Sequence, residues 1–425
     1  MRTVLSLLLV WCAFQVGTAQ ETTIYQCDFN KSADSKKWVK DTTSVGKVTF
    51  LRQGVDGSRC LFVENKKKAT KGATYMMEGL VPGDIYRFSA MVKTENVKEG
   101  RGAVLSIVPS TVEDQIWNAS SFLYDTNDWT EVYVDVEAPE SGIVGLYCSL
   151  GGLEGTYNGG LATGKAWFDN IKVENVTKQL YIQEGKYIRF VLPHEMVTIS
   201  KEKMAELLSH WDDVYEAYKD LVGNIPYNGR KITIMTTPGI EKGYWALAGN
   251  PILWNSNVRN QAQLERFAEH GDWCFGLMHE IAHVFNVDCT DWDWNDEIFA
   301  NFRMSYALEK LQGAMTQNKT LYVGENSSYY KLAYDKSIGA GKAENNGDAI
   351  QYTLMRIKSE YGWIIYKKAF RELRMMKSDD FANMTTPWQK LKFFWSVLSK
   401  HAGEDVEKTC YTPEELRLLE KALNN

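Results

Sequence analysis

The spacing of apolar residues changes once along this chain, near residue 177. Before that point the pattern is short alternating runs separated by Gly, Asp, Asn and Pro. Tyr86, Phe88, Ala90 and Val92 fall on one side of such a run and Arg87, Ser89, Met91 and Lys93 on the other, as a half-buried strand requires. Val132, Val134 and Val136 repeat the pattern, and further strands are predicted at 47–51, 59–63, 103–108, 143–150 and 166–173. About eight short strands without a convincing helix predict an all-β sandwich.

Beyond residue 177 the period lengthens. Met204, Leu207, Leu208, Trp211, Val214, Tyr215, Tyr218 and Leu221 recur at spacings of three and four, which predicts one amphipathic helix. A strand is predicted at 231–236, then helices around 275–285, 298–308, 350–357, 364–373 and 391–398. Thr412-Pro413-Glu414-Glu415 supplies an N-cap, a proline at the first helical position and a capping-box glutamate. The second half therefore reads as an α+β domain with a helical C-terminal lobe.

Composition adds limits to this two-domain picture. The 425 residues are 44% hydrophobic and carry a net charge of −6, so the basic footprint of a nucleic-acid-binding protein is missing. Lys36-Lys37 and Lys66-Lys67-Lys68 read as solvated turns. Arg2, an apolar run over 4–14, and Gly17 and Ala19 ahead of Gln20 form a secretory signal over residues 1–19. No later run reaches the roughly 20 apolar residues of a transmembrane helix, which predicts an extracellular protein. Cys27, Cys60, Cys148, Cys274, Cys289 and Cys410 remain after the leader, in a compartment that permits disulfides of undetermined pairing.

The chemistry centres on His279-Glu280-Ile281-Ala282-His283. Histidines four apart on a helix project from one face and can share one tetrahedral zinc, while the intervening glutamate can reach an attacking water as general base. Catalytic zinc needs a third protein ligand and an open position. Glu297 is the leading candidate, because fourteen residues after His283 allow a loop and a second helix to return it to the metal; Asp296 and Asp293 are its rivals. Asn301, one turn after Glu297, is placed to hydrogen-bond a ligand imidazole. A closed structural zinc using Cys274 and Cys289 is the less favoured alternative.

Two resemblances extend this reading. Residues 20–177 resemble the jelly-roll carbohydrate-binding modules of families four and nine, through Tyr86-Arg87-Phe88-Ser89-Ala90 with Lys93, Trp129, and Ala166-Trp167-Phe168-Asp169-Asn170-Ile171-Lys172-Val173. Trp129 and Trp167 read as core, whereas Trp117, Tyr124 and Tyr157 lie near loops and are the sugar-stacking candidates. The resemblance implies a structural calcium at Asp169, assisted by Asp28.

Residues 178–425 carry the second resemblance, over 244–405, to the enhancin-like metallopeptidases (peptidase family sixty-like), a zincin group of gluzincin type that includes secreted mucin-degrading enzymes. Its carriers are Ala248-Gly249-Asn250-Pro251-Ile252, Gly271-Asp272-Trp273 ahead of the zinc motif, Trp294 with Glu297 and Asn301, Tyr361-Gly362-Trp363, and Leu398-Ser399-Lys400-His401-Ala402-Gly403-Glu404-Asp405. It implies zinc on His279, His283 and Glu297, Glu280 as base, and a cleft lined near Ala248. Ala282 stands where relatives commonly have glycine, and the tail after Asp405 is short. Tyr329, Tyr330, Tyr334 and His401 are conceivable oxyanion donors. The expectation is a secreted zinc endopeptidase of glycoproteins such as mucins, with glycans as further partners; a glycan-binding or adhesive protein on a zincin scaffold, and a zinc peptidase of unglycosylated proteins, are the alternatives.

Overall fold

The computed structural model describes residues 23–42, 45–111, 114, 116–152, 160–241, 243–286 and 291–424. The predicted leader, Tyr157 and Cys289 lie outside the described residues.

The first part contains β1 (Thr23–Cys27), α1 (Ser32–Lys36), β2 (Val39–Lys40), β3 (Lys47–Leu51), β4 (Cys60–Ala69), β5 (Lys71–Met77), β6 (Ile85–Lys98), β7 (Ala103–Pro109), β8 (Asp125–Glu137), β9 (Val144–Leu150) and β10 (Ala162–Asn175). One antiparallel sheet runs β3-β4-β10-β6-β8 with β1 also on β10, and the other runs β2-β5-β9-β7. Their inner faces enclose one apolar core that includes Phe88, Ala90, Val92, Val132, Val134, Leu146 and Phe168. Trp167 packs instead on the outside of the first sheet, in a satellite cluster with Cys60, Phe62 and the half-buried Trp129.

Two local expectations change. Lys66, Lys67 and Lys68 are exposed but belong to the end of β4, between the buried Asn65 and Ala69, and form no turn. Lys36 ends a five-residue helix.

The second part continues with β11 (Leu180–Glu184), β12 (Ile188–Pro193), α2 (Lys201–Val222), β13 (Ile232–Thr237), β14 (Ala246–Leu247), β15 (Ile252–Asn255), α3 (Gln261–His270), α4 (Phe275–Val284), α5 (Asp296–Leu311), β16 (Ala314–Gln317) and β17 (Thr320–Val323). It ends with α6 (Ser327–Lys336), α7 (Gly347–Tyr361), α8 (Trp363–Leu373), α9 (Pro387–Ala402), α10 (Val406–Cys410) and α11 (Pro413–Asn424). The five-stranded sheet has the order β11-β12-β13-β15-β14, with β12, β13 and β15 parallel and the two edge strands antiparallel. Helix α2 covers this sheet with Met204, Leu207, Leu208, Trp211 and Tyr215, and the later helices complete a large second core.

The two parts are docked through both apolar and polar contacts. Ile85 and Val176 join Val191, Met235, Ile240, Leu247 and Leu253 in one cluster against which Trp117 packs. Around it, Arg189 reaches the Glu137 carboxylate at 2.8 Å and the Gly83 carbonyl at 3.0 Å. Arg101 pairs with Glu241 at 2.9 Å, and the Thr237 hydroxyl donates to the Ala119 carbonyl at 3.0 Å.

Cys27, Cys60, Cys148, Cys274 and Cys410 are buried free thiols. No helix among the described residues is long and apolar enough to cross a membrane.

The last helix is tied back by one network. Glu415 accepts from Tyr334 at 2.7 Å and from Arg356 at 2.7 Å, and it caps α11 through Thr412 N–H at 2.9 Å. Burial alone would raise the Glu415 pKa, but these donors outweigh it and hold the group at about 2, against an ordinary 4.5. A carboxyl depressed on folding contributes stability above its unfolded pKa and loses it as pH falls through the folded value. Glu415→Gln is expected to lower unfolding free energy at pH 7 by about 1–3 kcal/mol. In denaturant titrations the difference from wild type should shrink as pH falls from 4.5 towards 2.

Candidate metal centre

Helix α4 is fixed by its backbone before its side chains do anything. Its first turn follows Cys274, a left-handed residue (φ +65°) whose N–H donates to the buried Asp272 at 3.0 Å. Asp272 is in turn paired with Arg266 at 3.1 Å. From α2 the Tyr218 hydroxyl donates to the Met278 carbonyl at 2.9 Å, and from α5 Arg303 donates to the Ala282 carbonyl at 3.1 Å. At Gly276 a Cβ would stand 1.8 Å from the Trp245 ring, so the absence of a side chain lets this indole lie against the helix.

Helix α5 brings the second set of groups. Asn295 caps it by accepting from Glu297 N–H at 3.1 Å, which puts Asp296 and Glu297 in the first turn, where the N–H-rich end of a helix favours carboxylates. His279 Nε2 and His283 Nε2 stand 2.9 Å apart. Glu297 lies 3.0 Å from the first through Oε2 and 3.6 Å from the second through Oε1. Asn301 Oδ1 is 2.9 Å from His279 Nδ1, and Asp296 Oδ2 is 2.5 Å from His283 Nδ1.

The acceptors behind the rings decide where the protons sit. Asn301 Oδ1 and Asp296 each claim an Nδ1–H, so the Nε2 lone pairs of neutral rings face one another and the Glu297 carboxylate. Such a set can stay together only around positive charge. Burial would lower the His283 pKa, yet Asp296 and Glu297 raise it to about 9. Hydrogen bonds from His279 and then His283 hold the Glu297 carboxyl far below the usual range.

With ligands at about 2.0–2.1 Å, the donors of a tetrahedral zinc are about 3.3 Å apart, which the edges of this triangle bracket. Two imidazoles and one carboxylate are also a zinc-type donor set. Among the described residues this is the one group of three such side chains positioned to hold a metal.

Glu280 is buried beside the ligands and shares their cleft, a space of about 810 Å³. Burial raises its pKa, while the neighbouring His279 and His283 oppose the shift. The remaining walls come from Trp245, Ala246, Leu247 and Ala248 on the sheet edge, from Tyr227, and from Trp117 of the sandwich. A second recess of about 550 Å³ shares Glu297 and Asn301 and is walled by Glu344, Asn345, Asn346 and Asp348.

The structure thus gathers His279, Glu280, His283, Glu297 and Asn301, and it separates other candidates from them. Asp296 is a partner of His283 and Arg303, not a third donor towards the shared centre, because its carboxylate is turned to Nδ1. Asp293 accepts from Asn295 N–H at 2.7 Å and steadies the loop before α5. None of Tyr329, Tyr330, Tyr334 and His401 lines the cleft. Tyr329 is bonded to Asp348, Tyr330 to Gln317, Tyr334 to Glu415, and His401 is paired with Glu372.

In the sandwich, Tyr124 is exposed on a strand margin with its hydroxyl on the Gly100 carbonyl, away from the cleft. The two acidic residues expected at the calcium site are each engaged by protein donors. The buried Asp169 is filled by Val55 N–H (2.8 Å), Ser58 Oγ (2.6 Å) and its neighbour's Asn170 N–H (2.8 Å), while Asp28 turns to Asn30. Sequence reasoning missed Arg303, Tyr227 and Trp245. A buried arginine carries no sign in its own spacing, and Trp245 lies just before a strand only two residues long.

The chain is a member of a hydrolase class, the peptidases: residues 156–410, more than half of its length, match the family described as peptidase M60, enhancin and enhancin-like, and it belongs to that family. No curated protein matches it. Among solved structures, it is similar to a functionally unknown conserved protein (a mutant form) from Bacillus anthracis str. Ames, at 11% identity and a TM-score of 0.44, over 84% of this chain and 79% of that one. It is also similar to a CBM22-1 xylan-binding domain from Paenibacillus barcinonensis, at 11% identity and a TM-score of 0.27, over 38% of this chain and 99% of that one.

The Arg303 guanidinium is fully buried, with Asp296 at 3.3 Å and Asn286 Oδ1 at 2.7 Å. Arg303→Met would leave Asp296 and two carbonyl-type oxygens without their donor. A loss of about 3–5 kcal/mol of stability is expected in denaturant titrations, accompanied by weaker metal retention.

Proposed function

We propose that this chain is a secreted zinc-dependent endopeptidase of the gluzincin type that cleaves glycoproteins, mucins among them. The observation that carries the reading is the convergence of His279, His283 and Glu297 on one point beside the buried Glu280, at the foot of an open cleft. Family membership supports peptide hydrolysis, and the glycoprotein substrate rests on the enhancin-like resemblance. The leader read at residues 1–19 supports export.

His279, His283 and Glu297 would hold the zinc, which when bound supplies Lewis acidity to the scissile carbonyl and to an attacking water. Glu280 takes the water proton and passes it to the leaving nitrogen. Its raised pKa suits that transfer, since it makes the carboxylate a better base towards the water while the protonated group can still give the proton up to the leaving nitrogen. Asn301 and Asp296 keep the imidazoles in the tautomer that presents Nε2. Strand β14 pairs with β15 alone and sits at the margin of the sheet, so an extended substrate can lie along it as an added strand. Intact Glu280 argues against a purely adhesive zincin scaffold.

The direct test uses an O-glycosylated mucin-type protein, its deglycosylated form and casein, with wild type and Glu280→Gln. Wild type is expected to cut the glycosylated form, and Glu280→Gln to be slower by about 10²–10⁴-fold. Equal activity of the two proteins on all three substrates would remove the peptidase reading; cleavage of casein alone would remove the glycoprotein substrate.

Metal analysis tests the ligand set separately. Glu297→Ala is expected to lose zinc on dialysis, and Asn301→Ala to bind it about 10–100-fold more weakly. Stoichiometric zinc at wild-type affinity in Glu297→Ala would reassign the third ligand.

A further inference from the structure

We propose that Trp117, carried by the β-sandwich, is a specificity-determining residue of the cleft: its indole walls a subsite for a bulky apolar side chain of the substrate, close to the scissile bond. The inference rests on the peptidase reading and adds the contribution of the other domain to it.

Trp117 follows β7 in the chain and is remote in sequence from the metal helix, yet it lines the same cleft as His279, Glu280 and His283. Its place along the substrate path is set by Gly249. A Cβ on Gly249 would stand 3.0 Å from Trp117 Nε1, and Gly249 has φ +148°, a backbone setting that favours glycine. Gly249 directly follows Ala248, and both line the cleft together with Glu280. At about 3.3 Å per residue, a strand lying along this edge passes Trp117 within about two residues of the bond being cut.

The segment bearing the indole is anchored on both domains. Asn118 is buried and donates to the Asp135 carbonyl at 2.7 Å, while its own carbonyl accepts from Ile107 N–H at 2.8 Å. The Ala119 carbonyl accepts from the Thr237 hydroxyl across the domain junction. A fixed aromatic wall selects by shape, since filling it costs no reordering of the protein.

Surrounding chemistry favours an apolar occupant. Trp245, Leu247 and Phe275 share the cleft with Trp117, whereas its charged groups gather at the metal end. Tyr227 and Tyr244 also line the cleft, and the apolar surface of Trp245, Leu247 and Phe275 is what a bulky apolar side chain would cover.

The test digests a peptide library with the full chain as wild type, Trp117→Ala, Trp117→Phe and Gly249→Ala, and sequences the products. Wild type is expected to enrich large apolar residues at one position within about two of the cut. Trp117→Ala should lose that enrichment and raise KM roughly tenfold for the preferred peptides, with kcat little changed and alanine-containing peptides unaffected. Trp117→Phe should keep the preference, and Gly249→Ala, which displaces the indole, should weaken it. An unchanged preference in Trp117→Ala overturns the proposal, as does a preference in wild type for O-glycosylated over apolar residues that Trp117→Ala abolishes. Binding of fluorescent Phe- and Ala-containing peptides to Glu280→Gln, with and without Trp117→Ala, separates this failure from failure of the peptidase reading. Equal or absent binding overturns the subsite; discrimination by Glu280→Gln with no cleavage by wild type would remove the peptidase and leave the subsite.

Discussion

The constraint on which the rest of the structure depends is electrostatic crowding at the ends of three side chains. Two Nε2 atoms 2.9 Å apart and a carboxylate 3.0 Å from one of them form an arrangement that water would disperse. It persists because each contributor is held from behind, His279 by Asn301, His283 by Asp296, and Glu297 by the capped start of α5. Those supports need supports. Arg303 neutralises Asp296, and bonds from Tyr218 and Arg303 pin the carbonyls of α4. The apolar cores of the second domain, assembled around α2 and α5, are what make so much fixed polarity tolerable.

Much of this was legible in the sequence because helices impose their period on chemistry as well as on packing. His279 and His283 are one turn apart, and so are Glu297 and Asn301, so each pair had to share a face. The role of Asp296 was not legible. Adjacent residues on a helix point about 100° apart, so helix periodicity alone does not show that both Asp296 and Glu297 reach imidazoles, as they do. Arg303 was hidden for a different reason: charge in a helical sequence reads as solvent-facing, and only tertiary contacts reveal that this one is fully buried.

The sandwich shows the same division. β3, β7 and β9 begin and end within a residue of their predicted limits, since each is a short run rich in apolar and β-branched residues. β5 was invisible because Lys71, Gly72, Ala73 and Thr74 lack the β-branched apolar alternation, and it forms by pairing with β9 along seven residues. Two of the groups that bond the Asp169 carboxylate, Val55 N–H and Ser58 Oγ, were not legible, because they lie more than a hundred residues earlier in the chain.

The junction formed by Arg189, Glu137, Thr237 and Ala119 has a consequence for how such a chain is inherited. Severing it near residue 177 would expose Ile85, Met235 and Leu253 and remove one wall of the cleft at the same stroke. A sandwich attached in this way is not an interchangeable attachment module that recombination could replace with another. Its loop before β8 and the strand at β14 have to change together, so that the two halves drift as a single unit of selection.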